Sequence, residues 1–155
     1  MEIKEVNLNE TIMARLIALS EDWEKESSCY SYRKNTPEDL EGNRVFVANA
    51  GDAVIGYLFG HNEVAKETTS VYPAGTVWFE IEELYVAPDF RGKGIGKKLF
   101  RYAEEAVSGE ADMLLLGTAT KNFRAILHFY IDELGLEFWS ARLFKRINKN
   151  ADQKI

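Results

Sequence analysis

The chain predicts an α/β fold: one mixed sheet flanked by helices. Three observations carry the prediction. Two apolar stretches, 44–50 and 53–60, meet at Gly51-Asp52, a hairpin signal that opens an antiparallel meander. A later stretch, Val77 to Val86, runs through a Pro-Asp turn and a glycine-rich loop into an amphipathic helix. A short apolar run, Met113 to Gly117, follows that helix, and strand–helix–strand units of this kind pair in parallel. With 155 residues, 46% hydrophobic and 28% charged, the chain has the material for one soluble domain with a real core. The domain is expected over residues 1–146, with a polar, frayed tail over 147–155.

The elements follow in order. Ile3 and Val6 mark a first strand. Ile12, Leu16, Leu19 and Trp23 recur at helical spacing, with Asn9 as N-cap and Glu21, Asp22, Glu24 and Glu26 on a solvated acidic face. The stretch from Ser27 to Thr36 is polar, aromatic and rich in breakers, so it reads as a loop, and Pro37 to Leu40 reads as a helical turn. The two hairpin strands come next, and then the polar stretch from His61 to Thr76, part of it a long loop. Val77 to Val86 is the fourth strand.

After the glycine loop, Ile95, Leu99, Tyr102, Ala103, Ala106 and Val107 give the next helix its apolar stripe. Met113 to Gly117 reads as a short buried strand. Phe123, Ile126, Leu127, Tyr130, Ile131 and Leu134 form another helical stripe, capped by Gly135. Leu136 to Phe144 reads as a final strand. His61 and His128 are the only histidines and Cys29 the only cysteine, so neither a metal site nor an internal disulfide is expected.

The loop Arg91-Gly92-Lys93-Gly94-Ile95-Gly96-Lys97 carries the chemistry. Its alternating glycines leave backbone N–H groups unshielded at a helix N-terminus, where donors are unpaired and the dipole is positive. With Arg91, Lys93 and Lys97 this makes a phosphate or pyrophosphate site. It is not a Walker A loop, because Lys98 stands where Ser or Thr is required. It is not the Rossmann fingerprint either, because the third glycine would fall on Lys97 or Leu99.

Arg-Gly-x-Gly-x-Gly after the strand Leu84-Tyr85-Val86 is similar to the GCN5-related N-acetyltransferases, the GNAT superfamily. The resemblance implies a GNAT-like fold in which the fourth and fifth strands splay apart and hold acetyl-coenzyme A. It implies that the backbone of Leu84, Tyr85 and Val86 pairs with the pantetheine arm and polarises the thioester carbonyl. The pyrophosphate would lie on residues 91–97. Matched on Leu84-Tyr85-Val86, Glu80 falls where histone-acetylating members carry a general base, and Glu82 where polyamine-acetylating members carry a functional glutamate. Strict alternation sets Glu80 and Glu82 on the face of the core-like Leu84 and Val86, a conflict that a β-bulge would resolve. Glu82 or Glu80 is the expected base, with Glu83 a third candidate.

The family also carries an asparagine that holds the pantetheine and, seven residues on, a tyrosine that protonates the departing thiolate. Asn122 and Tyr130 are similar to that pair, but eight residues apart. Eight steps at about 100° leave Tyr130 off the face of Asn122. Three readings account for this: Asn122 precedes the regular helix, the helix has an extra residue, or Phe129 replaces the tyrosine.

The function implied is direct transfer of acetyl from acetyl-coenzyme A to a primary amine. Net charge is −6, which argues against nucleic acid and suits a small cationic acceptor. Two alternatives stand beside it: a protein lysine or N-terminal acetyltransferase, and a non-catalytic coenzyme A sensor. No apolar run spans a bilayer and no signal h-region opens the chain, so a cytoplasmic protein without a membrane partner is expected. A homodimer is the default assembly.

Overall fold

The computed structural model describes residues 1–148. Strand β1 (Glu2–Val6) leads into helix α1 (Glu10–Glu26) and the short helix α2 (Pro37–Leu40). Strands β2 (Arg44–Ala50), β3 (Ala53–Val64) and β4 (Val77–Val86) follow, and then helix α3 (Ile95–Val107) and strand β5 (Met113–Leu115). Helix α4 (Phe123–Leu127) continues as a π-helical turn over His128–Glu133. The strands lie in one sheet in chain order, antiparallel from β1 to β4 and parallel between β4 and β5. This is the mixed sheet that the sequence predicts. No described helix is long and apolar enough to cross a membrane.

Alternation along the central strands builds two cores. Phe46, Leu58, Phe79 and Ile81 pack on Ile95, Leu99, Phe100 and Val107 of α3. On the opposite face Val45, Val47, Tyr57, Phe59 and Tyr85 pack on Leu16 of α1 and Leu40 of α2. Each such buried side chain contributes roughly 1.5–3 kcal/mol, so both helical layers are held to the sheet by burial. The helix ends are set locally. Asn9 Oδ1 accepts the Ile12 N–H at 2.9 Å. Thr36 and Asp39 form a capping box over Pro37 at the start of α2. Gly135, at φ 79°, ends the last helix, with its N–H on the Ile131 carbonyl at 3.1 Å.

Four expectations change. Leu136 to Phe144 forms no strand. Beyond Leu136, whose N–H reaches the Tyr130 carbonyl, no backbone–backbone hydrogen bond ties residues 137–145 to another described residue, and a strand exists only by pairing. Strand β5 is three residues long and half-buried rather than buried. The last helix is α-helical for five residues only and then widens into the π turn. Glu26 is not solvated, because Arg91 and Tyr85 hold it. Of the predicted tail, residues 149–155 lie outside the described residues.

Candidate active site

The site is organised by a bulge in β4. Phe59 lies opposite Glu83 and Gly60 opposite Ile81, so Glu82 has no partner on β3. The extra residue reverses the alternation. Phe79 and Ile81 before it, and Leu84 and Val86 after it, all face the α3 core. Glu80, Glu83 and Tyr85 then share the opposite face, under α1 and α2. The conflict between the glutamates and Leu84/Val86 is resolved as the sequence suggested, with the bulge at Glu82. Gly60 makes it possible: a Cβ there would overlap the Glu80 carbonyl and sit 2.9 Å from the Phe79 ring.

Beside the bulge, β4 and β5 part. Their pairing covers only Trp78–Glu80 against Met113–Leu115. From Ile81 onward the β5-facing edge of β4 has no strand beside it. Beyond β5, the loop after α1 crosses over: Tyr30 N–H donates to the Ala119 carbonyl at 2.9 Å, and Lys121 N–H to the Ser28 carbonyl at 2.8 Å.

The glycine loop opens at the end of β4. Gly92 and Gly94 sit at φ 75° and 79°, with no atom within 4 Å of where a Cβ would stand. The amides of Gly92, Lys93, Gly94, Ile95, Gly96 and Lys97 find no acceptor among the described residues. Gly94 is the N-cap of α3, so these donors converge at a helix N-terminus. Lys97 lines a neighbouring hollow with Lys98 and Arg101. A pyrophosphate suits such an array of free donors and cations.

Arg91, placed on the pyrophosphate by sequence, is engaged elsewhere. Its guanidinium holds Glu26 at 2.7 and 2.9 Å and its Nε donates to the Val86 carbonyl at 2.8 Å. Tyr85 completes the tie, donating to Glu26 at 2.7 Å. Burial alone would raise the Glu26 pKa, but the Arg91 and Tyr85 hydrogen bonds and the Arg91 charge outweigh it and hold Glu26 below 4.5. A depressed folded-state pKa gives stability that is present above the unfolded value and lost as pH falls through the folded one. Glu26→Gln is therefore expected to lose stability at neutral pH and to flatten the acid-side decline. Denaturant titrations at neutral and acidic pH check this.

On the α1/α2 face lies an open pocket of about 680 Å³. Asp39, Glu41, Glu82 and Glu83 line it, against Arg33 and His61. Arg33 is spent on Asp39, which it grips at 2.8 and 3.1 Å. Glu83 is the best-organised carboxylate here. Its Oε1 accepts from Tyr57 at 2.8 Å, Asn35 Nδ2 at 2.9 Å and Tyr32 at 3.0 Å. Burial pushes its pKa up against those three bonds. Glu80 is also pushed up, by burial first and then by the Glu82 charge, but it does not line the pocket. Glu82 lines it at 45% side-chain exposure, 3.7 Å from His61 Nδ1.

His61, unassigned by sequence, is part of this wall. Its Nδ1 lies 2.9 Å from Asn43 Oδ1 and its Nε2 3.0 Å from Glu63. Asn43 Nδ2 donates to the Asp39 and Leu40 carbonyls, which fixes its Oδ1 toward the ring. Tyr32, from the loop after α1, also lines the pocket.

Tyr130 packs between Phe100 and Phe129, with ring centroids 6.3 and 5.1 Å away. Burial, then the neighbouring Cys29 sulfur, pushes its pKa up to about 12, so it keeps its proton at neutral pH. The odd spacing from Asn122 has a double cause. Asn122 is an N-cap outside the regular helix, and the π turn over His128–Glu133 adds a residue. The backbone matches the first two of the three sequence readings, and Phe129, the subject of the third, stands against the glycine loop, its Cζ 3.6 Å from where a Gly96 Cβ would be. The Asn122 side chain makes no cap bond and is exposed.

The acetyltransferase (GNAT) family model matches residues 12–136. No curated protein sequence matches the chain. An acetyltransferase from Trypanosoma brucei is similar in structure, with 17% identity, a TM-score of 0.64 and coverage of 94% of this chain and 100% of that one. An aminoglycoside acetyltransferase from an uncultured soil metagenomic sample is similar with 17% identity, a TM-score of 0.66 and coverage of 95% and 96%. A ribosomal-protein-alanine N-acetyltransferase from Brucella melitensis matches with 17% identity, a TM-score of 0.64 and coverage of 94% and 100%. At such identities the likeness is one of fold, and these acceptors already differ from one another.

Proposed function

The chain belongs to the GNAT acetyltransferase family and is an acyl-coenzyme A N-acyltransferase, and on that premise we propose that it acetylates a primary amine of a small cationic molecule, using acetyl-coenzyme A. One observation carries the choice of acceptor. The pocket beside the bulge sets Glu41, Glu82 and Glu83 against no arginine that is not already paired. An ammonium group is the natural counter-ion for such a wall.

In this reading the amides of residues 92–97, with Lys93 and Lys97, take the pyrophosphate. The open edge of Leu84, Tyr85 and Val86 takes the pantetheine arm, and Asn122, at the start of the last helix, helps to hold it. When bound, the cosubstrate supplies an acetyl thioester. Backbone N–H groups of the open β4 edge polarise its carbonyl as oxyanion donors do. One of the β4 carboxylates, Glu80, Glu82 or Glu83, removes the amine proton. Tyr130, protonated at neutral pH, supplies a proton to the leaving sulfur. Arg91 serves by holding the end of β4 to α1.

Thiol release from acetyl-coenzyme A tests this against putrescine, spermidine, kanamycin, free amino acids and a lysine peptide. Turnover is expected with the small cations and to be weaker with the peptide. Peptide-only turnover would move the acceptor to proteins. Tight coenzyme A binding with no turnover on any amine would contradict the reading.

A further inference from the structure

We propose that Glu83 is the carboxylate that takes the proton from the acceptor amine, and that Tyr32, Asn35 and Tyr57 aim it. This rests on the pocket being an amine-acceptor site.

Glu83 uses its two carboxylate oxygens unevenly. Oε1 accepts three hydrogen bonds, one each from Tyr57, Asn35 and Tyr32, at 2.8–3.0 Å. A carboxylate oxygen offers about two lone-pair sites, so three donors saturate it. Oε2 receives no donor among the described residues. It is not sealed in the interior either: the one buried side-chain polar atom without a partner among the described residues is Trp78 Nε1. Oε2 is therefore the basic atom that Glu83 presents to the pocket it lines.

The donors to Glu83 also differ in character from those of its neighbours. Elsewhere near this face the protein neutralises its ordered carboxylates with arginine: Glu26 with Arg91, and Asp39 with Arg33. Glu83 is as ordered, yet its three donors are all neutral. Burial pushes both tyrosine hydroxyls far above the ordinary phenol range, with the Glu83 charge adding to it, so they stay donors. A half-buried carboxylate with fixed orientation and no counter-ion is prepared for a cation that arrives from outside. Its raised affinity for protons suits a base that works near neutral pH.

Glu83 sits one residue past the bulge, on the stretch of β4 whose other edge is open toward β5. Glu82, at 45% side-chain exposure, is solvated and turned toward His61, and Glu80 lies outside the pocket lining. The groups that face Glu83 are Tyr57 and His61 from β3, Tyr32 and Arg33 from the loop after α1, Asp39 from α2, and Glu82 beside it. Of these, Arg33 and Asp39 bind each other.

The chemistry balances without a further reactant. Glu83 takes one proton from the ammonium group, leaving a neutral amine. The nitrogen lone pair forms the C–N bond as the C–S bond of the acetyl thioester breaks, and the sulfur leaves with that electron pair. The second amine proton is lost from nitrogen as the amide forms, and the sulfur is protonated. The products are an acetamide, a thiol and one proton, which Glu83 returns to solvent.

The test is kcat against pH for the wild type and the Glu83→Gln, Glu82→Gln, Glu80→Gln and Tyr32→Phe variants. Each is assayed with acetyl-coenzyme A and the fastest acceptor of the panel, alongside coenzyme A affinity and thermal melts. Glu83→Gln is expected to lose about 100-fold or more in kcat, the scale of a lost general base, with coenzyme A affinity kept. Glu82→Gln and Glu80→Gln are expected to lose less kcat than Glu83→Gln and to leave the acid limb of the profile in place. Tyr32→Phe removes a bond that favours the charged carboxylate, so the acid limb of the profile moves to higher pH. Glu83→Gln activity within about threefold of wild type would overturn the proposal. So would an unmoved acid limb in Tyr32→Phe, which would leave Glu83 a structural clamp. If Glu83→Gln does not fold, the Tyr32→Phe profile decides alone. A wild type that turns over no amine overturns the acceptor reading and this proposal together, whereas an active wild type with an active Glu83→Gln overturns only the proposal.

Discussion

Gly60→Ala is expected to destabilise the fold by about 3 kcal/mol or more, at the high end of single substitutions. Gly60 lies opposite Ile81 at the β4 bulge, and a Cβ there would overlap the Glu80 carbonyl. Backbone cannot step aside as a flexible side chain can. The new methyl would also press on Phe79, which is fully buried beneath α3. Gly56 offers a milder comparison, with its would-be Cβ 2.9 Å from the Tyr85 carbonyl. The effect reaches function, because the strain falls on the residues that turn Glu83 toward the pocket. Denaturant midpoints, with acetyl transfer measured where the variant is folded, check the pair of effects. A Gly60→Ala protein of wild-type stability would mean that β3 and β4 pair differently around the bulge.

Gly94→Val is expected to weaken coenzyme A binding by about 10-fold to 100-fold, roughly 1.4–2.7 kcal/mol. Gly94 holds φ 79° at the N-cap of α3, where nothing crowds a side chain. The penalty is conformational, because a β-branched residue resists the left-handed region at about 1–3 kcal/mol. The loop can escape that strain only by turning its amides away from their common target. The α3 stripe of Ile95, Leu99, Phe100 and Val107 is untouched, so the melt should shift far less than the affinity. Calorimetry with coenzyme A and a melt on the same protein separate the two. Unchanged affinity would remove the glycine loop from the binding site.

Local signals made much of this legible. Asn9, Gly51-Asp52, Thr36-Pro37 and Gly135 each set a turn or cap through their own backbone chemistry, and each does so in the structure. The bulge was legible as a conflict, since Glu80 and Glu82 shared a parity with Leu84 and Val86. The π turn left a similar trace in the eight-residue interval from Asn122 to Tyr130. Partnerships across the fold left none. Tyr57, Asn35 and Tyr32 lie 26, 48 and 51 residues from Glu83; the pairing of β3 with β4 brings up the first, and the packing of α1 and α2 on the sheet brings up the other two. Arg91 and Glu26, 65 residues apart, were read singly as a phosphate ligand and a solvated acid, and the structure pairs them. Residues 136–144 carry strand-like aromatic and aliphatic side chains, Leu136, Phe138, Trp139, Leu143 and Phe144, but no described strand offers their backbone a partner.

The identity of the product tests amine acetylation most directly. Wild-type protein, acetyl-coenzyme A and the fastest small cationic amine should yield the N-acetylated amine by mass spectrometry, in equal amount with the free thiol. Thiol released without an acetylated amine would mean hydrolysis of the thioester and would contradict amine acetylation as the function of this site.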